Sequence, residues 1–106
     1  MTIRRQDTYI LPKGKIRWWL FKQRQDGGQV LMTKLEEFKT AGKLIDWSAD
    51  QTLLEDKTIQ VTTTQDWSTQ EAYDEYVAWL DGNYGTERTA YNTTHGITVS
   101  VTTTEI

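Results

Sequence analysis

The chain has 106 residues, 37% hydrophobic and 25% charged, the profile of one soluble globular domain. It contains no cysteine, which excludes a disulfide scaffold, a thiolate metal site and a cysteine nucleophile. Its net charge of −3 conceals a split: residues 1–43 carry ten Lys/Arg against four Asp/Glu, and residues 44–106 carry two against eleven, balances of +6 and −9.

Such a split suits two solvated surfaces that neutralise each other in the fold, a head-to-tail contact between subunits, or one basic face. The opening stretch MTIRRQDTYILPKG (1–14) reads as an N-terminal arm and lacks the apolar core of a secretory signal. No apolar run approaches the roughly 18 residues of a membrane span, so the expectation is a soluble, cytoplasmic protein with no membrane partner.

KIRWWLFKQ (15–23) is apolar on both alternating faces, with Ile16, Trp18 and Leu20 on one and Trp19 and Phe21 on the other. That pattern predicts the first strand, central in a sheet and covered on both sides. In QDGGQVLMTKLEEFKTAGK, Leu31, Leu35 and Phe38 follow helical spacing. Asp26 is the expected N-cap with Gln29 three residues on, GGQ (27–29) the helix start, and Gly42 the C-terminal stop between Lys39 and Lys43.

LIDWSAD (44–50) alternates weakly as a second strand. TLLEDK follows as a turn, with Leu53 and Leu54 as a small apolar plug. TIQVTTTQDW (58–67) alternates well and is rich in β-branched residues. Ser68 and Glu71 have capping-box spacing, and Tyr73, Tyr76, Val77 and Leu80 form one helical stripe. These place a second helix from 69 to about 82, with Gly82 and Gly85 as stops. GTERTAYNTTHG (85–96) reads as a polar loop, and ITVSVTTTE (97–105) as the last strand.

The order β-α-β-β-α-β predicts an α+β domain over residues 1–106: a four-stranded antiparallel sheet, strand order 4-1-3-2, with two helices on one face. Residues 15–23 and 58–67 are then central. The doubly apolar first strand leaves grease on the uncovered face, and a second copy packed sheet to sheet is its simplest cover. The expected partner is therefore the chain itself, as a homodimer.

With the order βαββαβ, KIRWWLFKQ as opening strand and DWSTQEAYDEYVAW as strand-to-helix junction, the chain resembles the dimeric α+β barrel proteins. These are ferredoxin-like domains that include the antibiotic-biosynthesis-monooxygenase-like family. The resemblance rests on Trp67, Ser68, Glu71, Ala72 and Tyr73 at the junction and covers roughly 15–104. It implies a pocket between sheet and helices and a range of cofactorless oxygenases, isomerases, decarboxylases and haem degraders. The haem degraders use an Asn on the first strand and a His on the second helix. Both are missing from those predicted elements, so haem degradation is not supported, and fold alone does not assign an activity.

The aromatic stripe at 73–80 reads foremost as core. Trp19, Phe21, Trp67, Tyr76 and Trp79 are the candidate ligand-binding residues, as walls or rim of a small-molecule pocket. His95, the sole histidine, is the weak candidate for acid–base catalysis, since no orienting partner is legible beside it. No metal site and no cofactor is expected. DGNYGTE (81–87) departs from a calcium loop, with Thr86 at the sixth position and Asn92 at the twelfth. No phosphate-binding glycine pattern or nucleophile elbow is present. RNA binding is disfavoured, because the RNP signature is missing and the 58–67 strand offers no stacking aromatics within its alternating core.

Overall fold

The computed structural model describes residues 2–25 and 30–106. The elements are β1 (Ile3–Leu11), α1 (Trp18–Gln25), α2 (Val30–Thr40), β2 (Leu44–Leu53), β3 (Ile59–Trp67), α3 (Gln70–His95) and β4 (Thr98–Glu105). The strands form one antiparallel sheet in the order β2-β3-β1-β4, with β1 and β3 central. The fold is therefore α+β with three helices, in the order βααββαβ. The expected Asp26 cap and the GGQ helix start lie outside the described residues.

The first strand is Ile3–Leu11, so residues 1–14 are not an arm, and 15–23 is not a strand. Ile3, Arg5, Asp7, Tyr9 and Leu11 share one face, and the two charges on it hide the apolar alternation. Gly14, at a positive φ of 81°, turns the chain, and the Lys15 N–H donates to the Pro12 carbonyl. WWLFKQRQ then forms α1, in which Trp18 is buried and Phe21 is exposed. A short doubly apolar run does not separate strand from helix by periodicity, and this one holds no β-branched residue after Ile16.

In α2, Leu31, Leu35 and Phe38 are the buried side chains. The Gly42 N–H donates to the Lys39 carbonyl and the Lys43 N–H to Phe38, the paired bonds of a Schellman stop, with Gly42 at φ 77°. The register of β2 on β3 slips between Leu44 and Asp46. This bulge at Ile45 shifts the phase by one residue, so that Leu44 and Trp47 both face the helices. Leu53 ends β2 65% exposed and does not plug the turn that follows.

Helix α3 is capped by Thr69, not Ser68: the Thr69 hydroxyl accepts from the Ala72 N–H at 3.0 Å. It runs 26 residues to His95, so the expected loop at 85–96 is helix. Gly82 and Gly85 do not stop it, because contacts beyond them hold the helix together. Tyr84 packs on Trp18, Glu87 accepts from the Trp18 indole N–H at 2.9 Å, and the Tyr91 hydroxyl donates to the Ile16 carbonyl at 2.8 Å. The stop comes at Gly96 in the left-handed region, whose N–H reaches the carbonyls of Asn92 and Thr93.

All three helices pack on the sheet face that carries Ile3 and Trp67. The core there joins Trp18, Leu31, Leu35, Phe38, Leu44, Ala72, Tyr76 and Leu80, and Trp67 is fully buried in it. The opposite face is not greasy. By register it presents Arg4, Gln6, Thr8, Thr62, Thr64 and Asp66 on the two central strands. On these two strands Ile10 is the one large apolar side chain of that face. The patch expected to need cover does not exist on the sheet, since Trp18, Trp19, Leu20 and Phe21 belong to α1. The two halves of the chain neutralise each other through Arg4–Asp66, Lys22–Glu87 and Lys43–Glu75.

Candidate binding site between the sheet and the helices

A pocket lies between the helix-covered sheet face and the helices. It is partly open to solvent and has a cavity volume of about 40 Å3. Each element contributes to it by its own local logic. Alternation on β1 and β3 aims Asp7, Tyr9, Thr63 and Gln65 inward. The bulge in β2 adds Trp47, the segment just before α1 adds Arg17, α1 adds Trp18 and Trp19, and α2 adds Leu35. From α3, Tyr76, Leu80 and Arg88 complete the wall at helical spacing.

The polar side chains in and beneath the pocket form two hydrogen-bonded groups. Arg5 donates to both carboxylate oxygens of Asp7, at 2.8 and 3.4 Å, and the pair is almost wholly buried. Burial alone would lower the Arg5 pKa; the Asp7 hydrogen bonds and charge outweigh it and hold it above its ordinary value. The Tyr9 hydroxyl donates to Asp7 at 3.1 Å. Burial first, then the Asp7 charge and this hydrogen bond, raise the Tyr9 phenol above its usual range.

The second group starts in the core. The Trp67 indole N–H donates to the Gln65 side-chain carbonyl at 3.3 Å, which orients the amide so that its N–H donates to the Tyr76 hydroxyl at 3.2 Å. Burial raises the Tyr76 phenol, against the lowering effects of the Gln65 hydrogen bond and the Arg5 charge. Tyr76 itself stacks on Trp67, with ring centroids 4.7 Å apart.

Two cations in the wall lack close anionic partners. Arg17 has no carboxylate within ion-pair distance among the described residues, and burial pulls its pKa below the usual value. Among the described residues Arg88 meets one carboxylate, Asp81, at 3.7 Å, and its Nε is buried without a hydrogen-bond partner. The Arg88 charge also acts on the Tyr9 phenol, lowering its pKa against the larger raising effects of burial and Asp7. Arg88, Asp7 and Tyr9 also stand in the wall of a smaller cleft of about 30 Å3 toward β4.

Of the sequence-predicted site residues, Trp19 and Tyr76 line the pocket. Trp67 supports it from the core through Gln65. Trp79 packs against Tyr76, Tyr84 and the Lys34 ammonium and is not in the pocket wall. Phe21 and His95 both pack on Tyr91 toward the far end of α3, with centroids 4.8 and 4.3 Å from its ring. Asp7, Tyr9, Arg17, Trp18, Trp47 and Arg88 were not singled out by sequence. The one signal available was Arg88, one of only two basic residues in the acidic second half. Among the described residues no three His, Asp or Glu side chains gather as metal ligands, and no helix is long and apolar enough to cross a membrane.

The class this architecture defines is a ferredoxin-like α+β domain with an aromatic, arginine-bearing pocket under its helices. No protein-family model and no curated protein matches the chain. The chain is similar to a solved structure, a dimeric ferredoxin-like protein from an uncultured marine organism, with a TM-score of 0.72. That match covers 99% of this chain and 94% of the other at 8% identity, which establishes the shared fold alone.

Proposed function

We propose that this protein is a soluble homodimer that binds a small molecule in the pocket between its sheet and helices. The observation that carries the reading is the convergence of three tryptophans, two tyrosines and two poorly paired arginines on one concave space. Large apolar walls with a few aimed polar groups are the signature of a small-molecule site. Binding without catalysis is the favoured form. Asp7 is the sole carboxylate in the wall, and it is already held by Arg5 and Tyr9, so it is poorly placed to take a proton from a ligand. A fragment screen read on the five indole N–H signals of isotope-labelled protein tests this. Ligands of the pocket will shift Trp18, Trp19 and Trp47 and leave Trp79 in place; a screen that moves none of the three contradicts the reading.

Self-association is the second part of the proposal, favoured by the dimeric state of the similar solved structure. Sedimentation equilibrium is expected to give twice the 12.3 kDa chain mass. A chain mass of one at micromolar concentration would sink it.

A further inference from the structure

The pocket has a sign as well as a shape. Asp7 is neutralised by Arg5 at 2.8 Å, so it contributes no free negative charge to the space above it. Arg17 and Arg88 then remain as an excess of positive charge in the wall. A guanidinium partly removed from water without an anion is unfavourable, and burial already depresses the Arg17 pKa. The Arg88 Nε points into protein with no acceptor. An incoming anion would give Arg17 the counter-charge it lacks and add to the single, long ion pair that Arg88 makes with Asp81. Guanidinium groups match the planar, two-oxygen geometry of a carboxylate better than that of a spherical ion. The remaining wall, with Trp18, Trp19, Trp47 and Tyr76, suits a flat apolar body.

Resting on the small-molecule reading above, we propose that the ligand is a small aromatic carboxylic acid, bound as its anion, with the carboxylate at Arg17 and Arg88 and the ring against the tryptophans. A cavity of about 40 Å3, open to solvent, suits a compact ligand.

The test is titration calorimetry of the full chain with benzoate, benzyl alcohol and acetate, followed in parallel on the indole N–H signals. Benzoate is expected to bind and to shift Trp18, Trp19 and Trp47. Benzyl alcohol, which keeps the ring and loses the charge, is expected to bind about tenfold more weakly or worse, as is acetate, which keeps the charge and loses the ring. Arg17→Gln and Arg88→Gln are each expected to remove most of the preference for benzoate over benzyl alcohol. Benzoate and benzyl alcohol binding alike, with the same three indoles shifted, would overturn the anion and leave the pocket reading intact. Benzoate shifting only signals outside the pocket, or binding unchanged by both substitutions, would also overturn it. If no pocket indole responds to any of the three while other fragments move them, this inference fails alone; if no fragment moves them, both readings fail. The wild-type comparison of the three ligands decides the matter even if a substitution disturbs folding.

Discussion

Arg5 and Asp7 stand two residues apart on β1, on the same side of the sheet, and their side chains meet at 2.8 Å beneath the helices. An intrastrand pair of this kind uses the period of two that normally buries apolar side chains. Here it puts a salt bridge where a core position would be and anchors Tyr9 beside it. Asp7→Ala leaves the buried guanidinium without its partner and is expected to cost about 3–5 kcal/mol in urea unfolding. Arg5→Met with Asp7→Leu removes both charges and is expected to recover most of that loss. A double variant as unstable as Asp7→Ala would show that the pair is needed for more than mutual neutralisation.

The cap of α3 gives a sharper local test. Thr69→Ala removes the acceptor for the Ala72 N–H and is expected to cost about 1 kcal/mol. Ser68→Ala leaves that bond intact and is expected to change thermal stability far less. The reverse ranking would restore Ser68 as the cap.

Gly82 lies inside α3, exposed, with open space where a side-chain Cβ would point. Glycine is costly in a helix interior because its unfolded chain is so free. Gly82→Ala is therefore expected to stabilise the protein by about 0.5–1 kcal/mol, measured by chemical denaturation. A destabilised variant would mean that the helix needs flexibility there.

Arg4 and Asp66 pair across β1 and β3 at 2.8 and 3.0 Å on the open face. The hydrogen bond from Arg4 holds the Asp66 carboxyl below its ordinary range, with partial burial opposing and the Arg4 charge assisting. A depressed folded pKa gives stability that is present above the unfolded value of about 3.9 and is lost as pH falls through the folded value. Thermal stability is thus expected to fall below about pH 4, and Asp66→Asn to flatten that slope. The pair is exposed enough that its contribution at neutral pH is small. An unchanged acid slope in the variant would place the acid sensitivity elsewhere.

Strands β3 and β4 and helix α2 were legible from their alternation and helical spacing, and Gly42 marked a true stop; β2 was legible only over 44–50, and its last residues, read as the start of a turn, continue the strand to Leu53. β1 was illegible for the reason that makes it interesting: its inward positions hold Arg5 and Asp7, so charge masks the alternation. The tryptophan run at 18–21 drew the strand assignment instead, and with it the idea of an apolar sheet face. Gly82 and Gly85 looked like stops because the contacts that carry α3 past them come from Trp18 and Ile16, distant in sequence. The site was half legible for the same cause. Trp19 and Tyr76 could be chosen as large aromatics, but Arg17, Trp47 and Arg88 reach the pocket only through a turn, a bulge and an unexpectedly long helix.

The central claim is that the space under the helices receives a ligand anion, and crystals soaked in para-bromobenzoate test it most directly. Bromine scatters anomalously, so its position is read without assuming a pose. The account predicts a bromine peak in or at the mouth of the space bounded by Trp18, Trp47 and Tyr76, with the carboxylate against Arg17 and Arg88. A peak confined to the outer sheet face or to crystal contacts, or a pocket left without one at saturating ligand, would contradict it.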